Sequence, residues 1–333
     1  MAGTCNAGAP SPREPVPFAS VDRRGGEPAL IAVATDRQTP AATADDSLAL
    51  QRLAARWPVR VEAVPWDAPA RWERYAAVLI RSTWDYHLRP AAFLEWAKRV
   101  EQSGAALWNP AAVVRWNADK RYLGELARAG VPVIPTETIA RGTGGDLGRR
   151  LRQLGWEQAI VKPAVGASSY RTGRVDADDP AAGAALLGAV HEEADALVQP
   201  FLPEVCRDGE WSFIYFDGGD GALAFSHAVL KRPDPGDFRV QTEYDGTVDA
   251  VLPPPSLLRQ ADAAAATIAR LAPGPLLYAR IDGVVSAGTH APEGTFLLME
   301  AELIEPALFF AFDDAAADRF SAAVARRLAL APA

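Results

Sequence analysis

Residues 277–285 read Leu-Tyr-Ala-Arg-Ile-Asp-Gly-Val-Val, and residues 295–306 read Thr-Phe-Leu-Leu-Met-Glu-Ala-Glu-Leu-Ile-Glu-Pro. Both stretches are apolar and β-branched enough to be strands. Side chains two apart on a strand share a face, so Arg280 projects with Asp282, and Glu300 with Glu302. Leu297, Leu298, Met299, Leu303 and Ile304 are apolar enough to bury the second strand. Carboxylates sharing a buried face repel one another and are costly to desolvate unless a cation neutralises them. Mg²⁺ is one solution, since it takes oxygen ligands and shares them with substrate phosphates. The competing reading is an exposed edge face whose charges sit in water. The four histidines, His87, His191, His227 and His290, are scattered, which argues against zinc.

Outward from this pair, the last third is strand-rich, with strands predicted at Glu210 to Phe216 and Ala222 to Lys231 and helices at 255–271 and 313–328. The loop from Arg232 to Gly246, rich in proline, glycine and charge, is long enough to be functional. Further upstream, a strand at 159–163 is followed by the polar glycine loop Gly166 to Gly173, a helix near 181–191 and a strand at 196–199, which together make a small α+β lobe. At the amino-terminal side, strands at 29–35, 59–64 and 77–81 alternate with helices at 45–56 and 90–103. That alternation predicts a doubly wound sheet with ligand-facing loops at the strand carboxyl ends. Arg81, Ser82, Thr83, Asp85 and Tyr86 lie on such a loop, where they could read a substrate's charged ends; an Arg–Asp structural pair is the alternative. Seven of the nine tryptophans precede residue 117, so core packing of the first lobe is their expected role. The expected division is a disordered tail over 1–28, a substrate-side domain over 29–118, a central lid lobe over 119–203 and a catalytic lobe over 204–333.

Of 34 basic side chains only four are lysines: Lys98, Lys120, Lys162 and Lys231. Where lysine is so scarce, it marks places that need a compact point charge on a flexible stem rather than a planar fork. Lys98 lies in a charged helical pattern and reads as solvated. Lys120 opens a helix, whose positive end adds to its pull on an anion. Lys162 closes an apolar strand just before the Gly166-Ala-Ser-Ser-Tyr170 loop, whose backbone N–H groups could cradle phosphate oxygens. Neither a Walker loop nor a strand-GxGxxG-helix is present. Lys231 ends a strand and leads into the loop carrying Arg239. Gln199-Pro-Phe-Leu202 could pair an adenine edge between apolar walls, with Phe201 and Leu202 beside it, or be an ordinary strand end. Glu204 or Glu210 could hold ribose hydroxyls.

These pieces, in this order, resemble the ATP-grasp superfamily, within its glutathione-synthetase-like group the set that contains the cyclo-ligase of cycloserine biosynthesis. The resemblance covers residues 29 to about 328 and rests on RSTWDY (81–86), WNADKRYL (116–123), GVPVIPT (130–136), KRPDPGDFRVQ (231–241) and MEAELIEP (299–306). It implies an α/β ATP-grasp fold: a doubly wound pre-ATP-grasp domain, a small lid lobe and a carboxyl-terminal mixed-sheet lobe. It also implies that Lys120 and Lys162 hold ATP's α- and β-phosphates, that Gly166, Ser168 and Ser169 belong to a closing lid, and that Gln199 to Leu202 line adenine. Asp282, Glu300 and Glu302 would bind one or two Mg²⁺ ions, with Mn²⁺ a substitute. Arg280 and Lys231 would face the transferring phosphoryl group, and Arg239 would cover the intermediate. Glu302 stands where many relatives place Asn and adds a negative charge.

The implied reaction is ATP-dependent carboxylate–amine ligation through an acyl phosphate, giving ADP and phosphate, on a small amino-acid-like substrate. Ligation of an amino acid to a peptide or protein terminus and a non-catalytic nucleotide-binding regulator are the alternatives. A net charge of −8 argues against a nucleic-acid partner. Two distant cysteines, Cys5 and Cys206, and the lack of a signal peptide or a membrane-spanning run point to the cytoplasm. The composition is equally compatible with a monomer and a homo-oligomer.

Overall fold

The computed structural model describes residues 28–330 apart from 144, 168, 220 and 241–243. The expected tail and Ser168 therefore lie outside the described residues, Pro28 excepted.

The amino-terminal sheet is built from β1 (Ala29–Thr35), β2 (Val59–Pro65), β3 (Ala77–Ile80) and β4 (Ala106–Trp108), with α1 (Ala44–Arg56), α2 (Pro90–Gln102) and α3 (Ala111–Asn117) between and after them. Its order is β2-β1-β3-β4 and every pairing is parallel. Alternate residues of the central strands feed opposite cores, because β-strand side chains alternate in direction. Ile31, Val33 and Leu79 pack with Leu50 and Leu53 of α1, whereas Ala32, Ala34, Val78 and Ile80 pack with Phe93 and Trp96 of α2. Trp66, Trp72 and Trp96 interlock edge to face in the second core, which is the packing role expected of them.

The middle stretch holds α4 (Tyr122–Arg128), β5 (Glu137–Ile139), α5 (Leu147–Leu154), β6 (Gln158–Pro163), β7 (Gly173–Asp176), α6 (Pro180–His191) and β8 (Ala196–Pro200). The strands form an antiparallel sheet, β5-β8-β6-β7. One face buries Ala159, Val161 and Val198 under Leu151 and Leu187 of the two helices. The period-2 alternation then forces Ile160, Lys162 and Gln199 onto the other face.

The last stretch contributes α7 (Glu204–Arg207), β9 (Glu210–Asp217), β10 (Leu223–Arg232), β11 (Thr247–Ala250), α8 (Pro255–Leu271), β12 (Tyr278–Val285), β13 (Phe296–Glu302) and α9 (Ala316–Arg327). Its antiparallel sheet runs β11-β10-β9-β12-β13. Phe213, Tyr215, Ala279, Ile281, Leu298 and Ala301 pack on α4 and α8. The face opposite carries the polar residues. The carboxyl-terminal helix bridges this sheet and the first lobe: Phe320 of α9 meets Phe216 of β9 (ring centroids 5.4 Å apart), while on α1 Ser321 Oγ donates to the Ala49 carbonyl (2.9 Å) and Asp318 pairs with Arg56 (3.0 Å).

Buried polar side chains fix the last sheet to the first. Asn109 donates to the Tyr278 and Leu303 carbonyls (3.0 and 2.7 Å), and Asn117 donates to the Ala301 carbonyl (2.7 Å) while accepting from the Leu303 N–H (2.8 Å). Each of these amides satisfies backbone groups just where β13 ends, so the strand carrying the acids has a fixed exit.

Candidate active site

The candidate site is a cleft where the polar patch of the five-stranded sheet meets the Ile160–Lys162–Gln199 face of the small sheet. The pairing of β12 with β13 sets Arg280 opposite Glu302 and Asp282 opposite Glu300. The shared faces read from the sequence are thus also one continuous cross-strand patch. A bulge follows between Asp282 and Gly283 and leaves Met299 unpaired on β13, so Met299 and Glu300 both reach the cleft. Gly283 is required there. A Cβ on it would lie 2.4 Å from the Leu297 carbonyl oxygen and 2.6 Å from the Phe296 ring.

Asp282 is buried and accepts from Ser212 Oγ (2.6 Å) and from Arg280 Nε and Nη2 (3.1 and 3.0 Å), with Lys231 Nζ at 3.5 Å. Burial would raise its pKa, but Arg280, Lys231 and the Ser212 hydroxyl outweigh it and hold the carboxyl below its ordinary range. Arg280 also pairs with Glu302 and donates to the Ala307 carbonyl (3.1 Å). Lys231 pairs with Glu210, its cross-strand neighbour, at 2.5 Å.

Lys120 crosses from the middle stretch. Its Nζ lies 3.0 Å from Glu300 and donates to the Gly166 carbonyl (2.5 Å), so one lysine links the acidic strand to the glycine loop. Burial opposes the charge on Glu300, but Lys120 and Lys162 more than offset it and lower its pKa. Lys162 lines the same cleft, yet among the described residues its ammonium has no ion pair and no hydrogen bond; burial lowers its pKa. A buried ammonium with no direct side-chain contact is suited to binding an anion in the cleft. Lys162→Met is accordingly expected to leave folding stability unchanged or slightly higher while weakening nucleotide binding by about 10- to 100-fold, the worth of a charged hydrogen bond. Thermal melts and nucleotide titrations check both halves.

The acids outnumber their compensation. Burial, added to by Asp282 and Glu300, pushes Glu302 up to about 7 despite Arg280. Burial and Glu302 push Glu305 up to about 8. About a quarter of the Glu302 side chain (27%) still faces the cleft, so an ion could reach it. Both groups are penalised when ionised in the fold but not in the unfolded chain. The penalty is full above their folded pKa values and disappears as protons are taken up. The ligand-free protein should therefore gain thermal stability as pH falls from roughly 9 to roughly 6, and Mg²⁺–nucleotide should flatten that slope. Melting curves across this range check it.

The other wall is apolar. Ile134, Leu202, Val205 and Val240 line the cleft with Ile160, Phe201 and Met299, and Gln199 donates to Thr136 Oγ1 (2.9 Å) beside them. Gly166 and Ser169 line the cleft on the loop side, where Ser169 adopts a left-handed backbone (φ 55°). Arg239 lines the cleft too, but its guanidinium is tied to Asp237 (2.6 Å) and lies over the Tyr244 ring. Glu210 reaches the cleft. Glu204 does not: it is buried, outside the cleft lining, with one oxygen accepting from the Ala287 N–H (3.0 Å).

The substrate-loop expectation needs the largest correction. Arg81 is buried, donates to Asp46 (2.8 Å) and the Pro306 carbonyl (2.7 Å), and lies over the Tyr278 ring. Its role is structural, as the alternative reading had it, but its partner is Asp46 of α1 rather than an aspartate of its own loop, and it ties the first sheet to the segment after β13. Ser82 and Thr83 are fully buried, and Asp85 accepts from Trp66 Nε1 (2.7 Å) and Arg89 (2.8 Å). Of the five candidates only Tyr86 lines the cleft. Strand-end position picked out a loop that borders the cleft but not which of its side chains turn inward. Trp84, which the site reading passed over, lines the cleft, while His87 meets the glycine-loop Tyr170 with ring centroids 5.0 Å apart. Glu305 and Phe309, beyond the end of β13, are also in the lining and were missed; no strand periodicity reaches past the chain's exit from the sheet.

Among the described residues no three His, Cys, Asp or Glu side chains form a finished metal cage. The three carboxylates instead rest on Lys120, Lys231 and Arg280. That donor set still fits Mg²⁺, which commonly takes one or two carboxylates and completes its shell with phosphate and water oxygens.

Known proteins resemble this chain in both sequence and fold. The chain is 34% identical over 288 residues to the cycloserine biosynthesis protein DcsG of Streptomyces lavendulae, an alignment covering 81% of this chain and 89% of the relative. The chain belongs to the DcsG family of ATP-grasp ligases. Residues 31–109 match the family described as the D-cycloserine synthetase DcsG N-terminal domain. The crystal structure of D-cycloserine synthetase DcsG superposes with a TM-score of 0.76 at 29% identity, over 90% of this chain and all of that one. D-alanine–D-alanine ligase from Bacillus anthracis shares the fold at a TM-score of 0.61 and 14% identity, over 90% of this chain and 95% of that one. Like its family, the chain is an ATP-dependent carbon–nitrogen ligase. No helix among the described residues is long and apolar enough to cross a membrane.

Proposed function

We propose that this DcsG relative closes a small amino-acid derivative into a ring of the cycloserine kind: ATP phosphorylates the substrate carboxylate, and a nitrogen of the same molecule displaces the phosphate. The observation that carries the reading is the Lys120–Glu300 contact. Lys120, which also donates to the Gly166 carbonyl of the loop after β6, thereby links the glycine loop of the small sheet to the acidic patch of the large one, in a single cleft with an apolar end for a base and a charged end for phosphates. Lys120 and Lys162 hold the α- and β-phosphates, and Gln199 to Leu202 with Ile134 and Met299 receive adenine. Lys231 and Arg280 face the γ-phosphoryl group, whose transfer depends on positioning and charge stabilisation. Asp282, Glu300 and Glu302 would hold Mg²⁺, which when bound neutralises charge on the transferring phosphoryl oxygens. The glycine loop and Arg239 exclude water, so that the acyl phosphate meets nitrogen rather than solvent. Tyr86 and Trp84 border the substrate end. The small substrate is favoured over a peptide or protein terminus by the His87–Tyr170 contact, which joins the glycine loop to the first lobe beside that end. The test is ADP release on a panel of amino acids, O-ureido amino acids including O-ureido-D-serine, and dipeptides. Turnover confined to O-ureido compounds supports the cyclo-ligase, turnover with dipeptides favours peptide ligation, and no ADP with any member removes the proposal.

A further inference from the structure

Five carboxylates border the charged end of the cleft, and four of them are spoken for. Glu210 is on Lys231, Asp282 on Arg280 and Ser212, Glu300 on Lys120, and Glu302 on Arg280. Glu305 is the exception: among the described residues its carboxylate has neither a hydrogen bond nor an ion pair, yet it lines the cleft and is not sealed from it. It lies three residues past Glu302, where β13 has ended and the chain turns under the first sheet, held by Arg81 on the Pro306 carbonyl and Arg280 on the Ala307 carbonyl. The backbone on either side is thus fixed while the side chain remains available. The groups in its electrostatic reach are Glu302, Glu300, Lys120, Arg280 and Tyr278 from the large sheet and the middle stretch, and Tyr86 from the first lobe. Glu305 therefore stands between the phosphoryl-transfer patch and the substrate end.

An acyl phosphate is attacked productively only if the nitrogen loses a proton as the C–N bond forms. The structure assigns that proton to Glu305: we propose that its carboxylate is the general base of the ligation half-reaction. The nitrogen lone pair forms the bond to the carbonyl carbon, the carbon–oxygen bond to phosphate breaks, and phosphate departs with that electron pair. The N–H proton passes to a Glu305 oxygen and then to solvent. The unpartnered carboxylate is suited to this work because no cation must be displaced before it accepts a proton, and the raised affinity for protons conferred by burial makes it a stronger base than an exposed glutamate. The other acids are poorly placed for it, each being committed to a cation.

The proposal rests on the acyl-phosphate reading, and the experiment separates the two. Wild type and Glu305→Gln are given ATP, Mg²⁺ and O-ureido-D-serine, with and without hydroxylamine, a nucleophile that needs no enzymic base. The expected result is product formation reduced about 100-fold or more in the variant, the usual worth of a positioned base, while hydroxylamine-supported ADP release and hydroxamate yield stay within about threefold of wild type. Glu305→Asp, which keeps a carboxylate, should restore part of the product formation. A parallel loss of hydroxamate and product in Glu305→Gln, with nucleotide binding retained, would overturn the assignment by placing Glu305 in phosphoryl transfer. Normal product formation in that variant would overturn it too. Failure of Glu305→Asp to exceed Glu305→Gln would also count against a base. Wild-type enzyme that makes product but never hydroxamate would instead remove the acyl-phosphate reading, and the proposal with it.

Discussion

Glu300→Gln is expected to lower ATP-dependent product formation by about 10³-fold, with folding intact. The substitution is nearly isosteric and keeps an oxygen for the Lys120 ammonium, now 3.0 Å away, so little packing changes. What disappears is the negative charge that Lys120 and Lys162 share and that a divalent ion would need. Removing one positioned charge-stabilising group in other enzymes typically costs about 10²–10³, and here one residue serves both the metal and the lysine that steadies the glycine loop. Rapid-quench assays for activity and melting curves for folding check the result. Turnover within tenfold of wild type would show that Glu300 has no part in the reaction.

Arg280→Met has the other large effect, on stability as well as on rate. The guanidinium is shared by Asp282 and Glu302 and also holds the Ala307 carbonyl. Without it, two neighbouring carboxylates on adjacent strands remain in the cleft, with Lys231 3.5 Å from Asp282. Breaking a buried ion pair from one side leaves charge without compensation, and the loss is typically about 3–5 kcal/mol. Urea denaturation near pH 8 is expected to show a loss of this size. The loss should shrink near pH 6, because Glu302, already pushed up to about 7 with Arg280 present, takes up a proton more readily once the cation is gone. Added Mg²⁺–ADP should recover part of it. An unchanged unfolding free energy at both pH values would contradict the charge accounting proposed for the patch.

The acidic strands were legible because period-2 alternation is a local rule: Arg280 with Asp282 and Glu300 with Glu302 follow from counting alone, and scarcity of lysine marked Lys120, Lys162 and Lys231. Cross-strand register was not legible, since the bulge at Gly283 becomes visible only when Phe296 and Leu297 are seen against it. The loop Arg81 to Tyr86 shows the limit most clearly. Its place at the end of a buried parallel strand is written in the sequence, yet Asp46 and Tyr278, which draw Arg81 away from the cleft, are distant in the chain and meet it only in the fold. Glu305 was within a recognised motif and still went unassigned, because its significance is the absence of a partner, and partners are a property of three dimensions.

The central claim is that phosphate moves from ATP onto the substrate's own carboxylate before nitrogen attacks. Substrate carrying ¹⁸O in that carboxylate, turned over with ATP and Mg²⁺ and followed by ³¹P NMR, tests this most directly. The account predicts ADP together with inorganic phosphate that has acquired one labelled oxygen. Label appearing in AMP, or product formed while the phosphate stays unlabelled, would contradict it.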